Sequence, residues 1–203
     1  GVAIASSSYI DSDQSIAIGY RSYESGTAVG GIIQPSIAIG AGAHAQANNT
    51  VAIGTVAENR GSYGVALGNK SNVKSGADYG IAVGYGSSVS TQQGIAIGTN
   101  TNSTASLAMA IGNGAQASGE NAISIGRTTS ASGGDAVSIG TSAQASGGDA
   151  VSIGSSSQAT GGDSIALGKS AKAKNGDTIA IGQDAEASLL NAVALGKTSK
   201  ATG

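Results

Sequence analysis

A glycine that returns every fourteen residues is the feature that most constrains the fold of this sequence. It ends a short apolar triplet, as in Val151-Ser152-Ile153-Gly154. The intervals between these glycines are 14 residues except at two places, where they are 21 and 16. Because Ala5 stands fourteen residues before Gly19, the series has fourteen copies, with inserts near residues 27–33 and 70–80. A repeat this regular predicts a solenoid in which each copy forms one coil.

Each copy contains two short strands. In the first, the triplet, the outer residues are Ile, Val, Leu or Met and the middle residue is Ala or Ser. In the second, small and polar residues alternate, as in Ala143-Gln144-Ala145. A period of two is typical of β-strands. We therefore predict an all-β fold, a parallel β-roll solenoid of 14-residue coils whose equivalent strands stack about 4.8 Å apart.

The triplets also suggest how copies of the chain associate. We expect their large outer side chains to point inward, against the small residues of the second strand. The middle residue never exceeds Ser in size, which indicates that another surface approaches it closely. Symmetric self-association is the usual case, so we expect a homo-oligomer packed on these residues. The interface candidates are Ala52, Ala66, Ala82, Ala96, Ala110, Ser124, Ser138, Ser152, Ala166, Ala180 and Ala194.

Composition excludes several classes of function. The chain has no cysteine, so disulfides and cysteine-based metal sites are excluded. Its net charge of −2 gives no reason to expect nucleic acid as a partner. His44 is the only imidazole, too little for a Ser–His–Asp triad or a histidine metal cluster. We expect neither an enzyme nor a bound cofactor.

Three stretches of the repeat point to a known family. NTVAIG at 49–54, NAISIG at 121–126 and NAVALG at 191–196 are each followed by a strand of small–x–Ala type. They resemble the head repeats of YadA-like trimeric autotransporter adhesins, and the resemblance covers essentially the whole chain. It implies a left-handed β-roll and a homotrimer around one axis. It also implies that residues 1–203 are a single head domain, without the neck, stalk and membrane anchor of full-length members.

The same resemblance implies a place and a role. Such heads are exposed at the outer membrane of Gram-negative bacteria, to which only the missing C-terminal anchor would attach this one. They bind host extracellular matrix proteins, of the collagen, fibronectin or laminin class, or a host cell-surface receptor. The leading hypothesis is therefore an adhesin head that makes weak, multivalent contacts. The alternatives are an ice- or surface-binding β-solenoid and, for residues 98–203, a structural spacer.

Glycine and aspartate mark the predicted turns. A glycine after each triplet suggests positive φ or a close backbone approach, as at Gly54, Gly98, Gly140, Gly154 and Gly168. An aspartate precedes four of the triplets, two residues ahead, and stacking would place these carboxylates in one row. We expect each to cap its turn by accepting a backbone N–H bond, with weak cation binding by the row as the alternative. These residues are Asp135, Asp149, Asp163 and Asp177.

All six tyrosines precede residue 86, in the part of the chain that holds both inserts. Tyr and Arg are frequent anchors of protein interfaces, and inserts in solenoids often lie on a binding face. We therefore predict that residues 9–85 carry a ligand-contacting surface, although these side chains could equally cover turns or the longer insert. The candidates are Tyr20, Arg21, Tyr23, His44, Arg60, Tyr63, Tyr79 and Tyr85.

Overall fold

The computed structural model describes residues 1–11, 14–25 and 34–202. All regular elements in these ranges are β-strands. The chain divides into two compact units, Gly1–Ser103 and Thr104–Gly203, which we call unit 1 and unit 2. The insert expected near residues 27–33 lies outside the described residues.

Three-residue and two-residue strands alternate along unit 1. The three-residue strands form the sheet that we call sheet 1: β1 Val2–Ile4, β3 Ile16–Ile18, β5 Ile37–Ile39, β7 Val51–Ile53, β9 Val65–Leu67, β11 Ile81–Val83 and β13 Ile95–Ile97. The two-residue strands form sheet 2: β2 Tyr9–Ile10, β4 Tyr23–Glu24, β6 His44–Ala45, β8 Glu58–Asn59, β10 Asn72–Val73, β12 Ser88–Val89 and β14 Asn102–Ser103.

Unit 2 repeats the same alternation. Sheet 1 contains β15 Met109–Ile111, β17 Ile123–Ile125, β19 Val137–Ile139, β21 Val151–Ile153, β23 Ile165–Leu167, β25 Ile179–Ile181 and β27 Val193–Leu195. Sheet 2 contains β16 Gln116–Ala117, β18 Ser130–Ala131, β20 Gln144–Ala145, β22 Gln158–Ala159, β24 Lys172–Ala173, β26 Glu186–Ala187 and β28 Lys200–Ala201.

The strands pair in parallel, in the register of the sequence repeat. In unit 2, Val137 pairs with Val151 in sheet 1 and Gln144 with Gln158 in sheet 2. In unit 1, Val65 pairs with Ile81, so the two extra residues of the second insert are taken up in the turn before Ile81. The described chain is thus an all-β parallel solenoid of about fourteen turns, as the sequence predicts.

Tight turns join the two sheets on both sides of each coil. Turn A follows the triplet, and in one coil it is closed by the bond from the Ala143 N–H to the Gly140 carbonyl (3.5 Å). Turn B returns the chain to sheet 1, and the Ala150 N–H closes it on the Gly147 carbonyl (3.4 Å). Turns of four residues keep the sheets close together, and the interior of each coil is therefore narrow.

Only small side chains fill most of this interior, and the predicted orientation of the triplets is wrong. Every interface candidate, from Ala52 to Ala194, is buried inside its own coil and is at most 3% exposed. The outer residues of the triplets point away from the interior and stay half-exposed, as Ile153 (39%) and Ile181 (38%) show. The middle position of the triplet has room only for a small side chain, so Ala and Ser occupy it.

Sheet 2 supplies the opposite wall of the interior, as the sequence predicts. Ala115, Ala117, Ala143 and Ala145 are fully buried, while the polar residue between each pair points outward. Two of the three triplet serines are accommodated by hydrogen bonds across the coil, whereas the buried Ser124 hydroxyl has no partner among the described residues. The Ser138 hydroxyl lies 2.9 Å from that of Thr129, and the Ser152 hydroxyl lies 2.7 Å from that of Ser157.

The glycine at the start of turn A is required for two reasons. Its φ lies between 109° and 138° throughout the series, a region that L side chains rarely adopt. A Cβ at Gly140 would also lie 2.7 Å from the carbonyl oxygen of Gly154 in the next coil. The prediction of positive φ together with close backbone approach is therefore confirmed.

The aspartates do lie in turns, but they act there through their backbone. Asp135, Asp149, Asp163 and Asp177 have φ of 52–54°, the conformation for which turns select Gly, Asn or Asp. Among the described residues, no backbone N–H donates to these four carboxylates, and Asp135 Oδ1 accepts instead from Asn121 Nδ2 (3.0 Å). The predicted capping bond is therefore absent at these positions.

In unit 1, two larger residues on one wall of the interior face glycines on the other wall. Val73 and Val89 are fully buried on sheet 2 where most coils carry a smaller residue. The residue that precedes the facing triplet is then glycine, at Gly80 and Gly94, where unit 2 has Ala, Ser or Thr. A Cβ on Gly94 would lie 2.8 Å from Val89 Cγ1, so the two positions share one volume.

The paired glycines of turn B allow a matched test of coil stacking. A Cβ at Gly147 would overlap the Gly161 carbonyl, whereas a Cβ at Gly148 meets nothing within 4 Å. We expect Gly147→Ala to lower the free energy of unfolding by about 3 kcal/mol or more, because the coils must separate. Gly148→Ala should be neutral or slightly stabilising. Equal effects in urea denaturation would contradict this account of the turn.

Because Val89 and Gly94 share one space, a substitution at one position should compensate for a substitution at the other. Gly94→Ala should destabilise unit 1 by about 1–3 kcal/mol, because the new methyl group collides with Val89 and with the Ser103 hydroxyl. The double variant with Val89→Ala removes the collision with Val89 and leaves only the contact with Ser103, so the losses should be less than additive by about 1 kcal/mol. A double-mutant cycle by chemical denaturation measures this coupling, and strict additivity would show that the residues do not share space.

Candidate ligand-binding surface

The predicted ligand-contact residues all lie in unit 1, but on three different surfaces. Tyr23, His44 and Arg60 lie on the outward face of sheet 2 or directly beside it. Tyr63 and Tyr79 lie in turn B, whereas Tyr20, Arg21 and Tyr85 lie in turn A. The eight residues therefore do not form one continuous site.

An aromatic column runs along the outward face of sheet 2. The Tyr9 and Tyr23 rings stack with centroids 5.2 Å apart and an interplanar angle of 13°. The His44 ring meets Tyr23 edge-on at 5.9 Å and 67°. The strand register produces this column, because Tyr9 pairs with Tyr23 and Tyr23 with His44 in the parallel ladder. Such contacts add about 0.5–1.5 kcal/mol each beyond the area that they bury.

A polar network continues the same face. Arg60 forms an ion pair with Glu58 (2.5 Å) and donates from Nε to Gln46 Oε1 (2.9 Å). The Asn72 amide donates to the other Glu58 oxygen at 2.8 Å. Arg60 is thus held in place with its charge balanced, which suits it to orient a polar ligand group rather than to attract anions from a distance.

Tyr9 stands beside a carboxylate at one end of the column. Its hydroxyl donates to Asp11 Oδ1 at 3.4 Å. The negative charge of Asp11 raises the pKa of the Tyr9 hydroxyl above its ordinary value, because the phenolate would be repelled. Tyr9 therefore stays protonated, with its hydroxyl hydrogen directed at Asp11.

Two exposed tyrosines stack in turn B of consecutive coils. The rings of Tyr63 and Tyr79 are 5.0 Å apart and nearly parallel, at 6°, as their shared repeat position indicates. They are 53% and 56% exposed. Their φ values of 59° and 60° are unfavourable for a bulky residue, and the equivalent Asn49 shows what the turn alone would select.

Turn A carries aromatic and cationic side chains in contact. The Arg21 guanidinium lies 5.1 Å from the centroid of the Tyr20 ring, and the Lys70 ammonium lies 5.8 Å from that of Tyr85. Cation–π contacts at exposed positions contribute about 0.5–1 kcal/mol. These two pairs are at least three coils apart in the repeat, so they are separate features of the same edge.

The described residues contain no group of three or more His, Cys, Asp or Glu side chains that could hold a metal ion. His44 contacts Tyr23 and has no described hydroxyl nucleophile hydrogen-bonded to it. In the described ranges, no helix is long and apolar enough to span a membrane. The arrangement of the described aromatic and polar residues can bind a ligand by stacking and hydrogen bonding.

Comparison with protein families assigns the chain. The family described as YadA head domain repeat (2 copies) matches residues 34–57, 60–87, 75–101, 103–128, 131–157, 159–185 and 173–199. The chain belongs to the YadA-like head domains of trimeric autotransporter adhesins. The resemblance noted in the sequence is confirmed, and the matches extend over both units.

The family links this YadA-like head to adhesion and to exposure on the bacterial surface. No curated protein sequence matches the chain closely enough to count as a relative. Residues 1–33, which contain Tyr9, Tyr20 and Tyr23, precede the first matched repeat. The aromatic column of this head therefore begins outside the matched repeats.

Sequence reasoning missed one member of the aromatic column. Tyr9 is 48% exposed and stacks on Tyr23, yet it was not among the predicted contact residues. The signal was present in the repeat, because Tyr9 and Tyr23 are fourteen residues apart. Placing the two residues in the repeat register would have identified the pair.

Proposed function

We propose that this YadA-like head is the adhesive part of a homotrimeric fibre on the surface of a Gram-negative bacterium. In this proposal, both units form one head, the coils are left-handed, and the head is held outside the outer membrane by an anchor elsewhere in the full protein. It binds host extracellular matrix or cell-surface proteins without catalysis. The observation that carries the proposal is the half-exposed apolar face of sheet 1. The outward face of sheet 2, on the other side of the coils, has the aromatic column.

The outward face of sheet 1 is the surface on which we propose that three copies pack. Two apolar side chains per coil stand on this face, and we call it the Ile/Val face. Residues such as Ile53 and Ile97 in unit 1 are 37% exposed although neighbouring coils flank them. Monomeric proteins rarely expose continuous apolar patches of this kind. Association of the faces removes them from water and contributes roughly 25 cal/mol per Å².

In the proposed trimer, only one of the three candidate surfaces stays exposed to solvent. With sheet 1 at the trimer axis, turns A and B face neighbouring copies and sheet 2 faces solvent. The aromatic column of Tyr9, Tyr23 and His44, with the Arg60–Glu58 pair beside it, is then accessible on all three copies. We propose that this surface of unit 1 contacts the host protein, with three equivalent sites adding their affinities through avidity.

Unit 2 is better suited to a spacer than to specific binding. Its sequence has no tyrosine, and its outward sheet 2 residues are mostly Gln and Ser, flanked by Lys and Glu. This mixture does not provide the regular threonine array that ice binding would require. Unit 2 therefore supplies the matched control surface for a binding experiment.

We expect the combined substitutions Tyr9→Ser, Tyr23→Ser and His44→Ser to weaken binding to the host protein at least tenfold. The physical reason is the loss of the stacked rings, which are the large, rigid contact surfaces of this face. The measurement is surface plasmon resonance of the trimeric head against immobilised collagen, fibronectin and laminin.

The control carries Gln116→Ser, Gln144→Ser and Gln158→Ser on the same sheet in unit 2, and it should bind as the unaltered head does. Undiminished binding by the aromatic variant would exclude this surface. Equal losses in both variants would show that recognition is not confined to unit 1.

A further inference from the structure

The two edges of unit 2 carry charges of opposite sign. The charged side chains of turn B in unit 2 are all acidic, and no Lys or Arg occurs among its residues there. These acids, all exposed, are Glu120, Asp135, Asp149, Asp163 and Asp177, and we call this row the acidic edge. Turn A contributes the exposed cations Arg127, Lys169 and Lys197 with a single acid, Asp184, and we call this row the basic edge.

The charges of both edges form no ion pair with any residue that the structure describes. The two ion pairs among the described residues, Arg60–Glu58 and Lys174–Glu186, both belong to the face of sheet 2. Asp149, Asp163 and Asp177 follow one another in adjacent coils, so like charges stand about 4.8 Å apart along the row. Such a row repels itself in an isolated copy.

The backbone conformation of turn B does not account for this repulsion. Asn121 and Asn191 occupy the same turn position with φ of 54° and 59°, and they satisfy the conformation without charge. The aspartates are therefore replaceable, as far as the turn is concerned, by a neutral residue that the chain already uses. No ion pair holds them among the described residues, so any charged partner comes from outside the single copy.

Symmetry supplies that partner, and this step rests on the trimer proposed above. When parallel copies pack their Ile/Val faces around a threefold axis, each copy turns its turn B edge toward one neighbour and its turn A edge toward the other. We propose that the acidic edge of one copy docks against the basic edge of the next, so that the charges fix the parallel orientation of the three chains.

The positions of the charges along the coils agree with this docking. Turn A and turn B of one coil are half a coil apart, about 2.4 Å along the axis. Without any axial shift, Lys169 stands between the levels of Asp163 and Asp177, and Arg127 stands half a coil from Asp135. Long cationic side chains easily span such differences in level.

The opposite orientation would be penalised. If two copies packed their Ile/Val faces antiparallel, turn B would meet turn B, and the acidic edges would face each other. The apolar face cannot make this distinction, because its two side chains per coil are nearly the same in every coil. Complementary charges are a common means of choosing among arrangements that hydrophobic packing leaves equal.

Charge reversal and charge exchange test the proposal. One variant carries Asp135→Lys and Asp163→Lys, a second carries Arg127→Glu and Lys169→Glu, and a third carries all four changes. Lys is compatible with positive φ in a turn, as Lys70 shows with φ of 57°. We expect each two-residue variant to weaken trimer formation at least tenfold at low salt, while the four-residue variant recovers most of the loss.

The measurement is sedimentation equilibrium at low and high salt, with circular dichroism to show that each variant is folded. Two-residue variants that associate as tightly as the unaltered chain would overturn the charge-docking proposal while leaving the trimer intact. A folded four-residue variant no better than either parent would also overturn it. An unaltered chain that remains monomeric would instead overturn the proposed trimer, and this inference with it.

Cysteine cross-linking tests the orientation directly, because the chain has no cysteine of its own. Gly148 in turn B and Ser155 in turn A are both exposed and lie on opposite edges of one coil. A chain with Gly148→Cys and Ser155→Cys should form covalent dimers and trimers under mild oxidation, and neither single variant should. Cross-linking of the Gly148→Cys variant alone to the same extent would mean that like edges meet, which contradicts the proposal.

Discussion

The narrow space between the two sheets is the constraint on which the rest of the structure depends. Turns of four residues close most of the described coils on both sides, and glycines with positive φ let successive turns stack against one another. Between sheets held so closely, Ala and Ser fill nearly all of the interior. Where Val73 and Val89 enter it, glycines on the other wall make room.

A narrow interior leaves the larger apolar side chains outside. Ile and Val of the triplets favour strands, but the interior has no room for them, and they cover the outward face of sheet 1. A single copy therefore buries alanine and exposes isoleucine, the reverse of the usual distribution. The same constraint that shapes the coil thus produces the surface on which we propose that copies associate, while the charged turns at its two edges determine how they are oriented.

Much of this fold is predictable from the sequence, because its period, strands and turn glycines are local properties. The direction of the triplets is not, since Val137-Ser138-Ile139 is compatible with either face inward. The choice depends on the distance between the sheets, which the turns set, and size alone suggested the wrong face. The repeat register likewise places Tyr63 and Tyr79 in neighbouring coils. It does not show which candidate residues lie in turns and which lie on sheet 2, because that depends on the path of the chain.

The molar mass of the unaltered chain in solution tests the central claim most directly. If the half-exposed Ile/Val face is an association surface, light scattering coupled to size-exclusion chromatography will give three times the 19.2 kDa mass of one chain. The trimer should persist at high salt, because apolar burial rather than charge holds it together. A stable, soluble species with the mass of one chain would contradict the account.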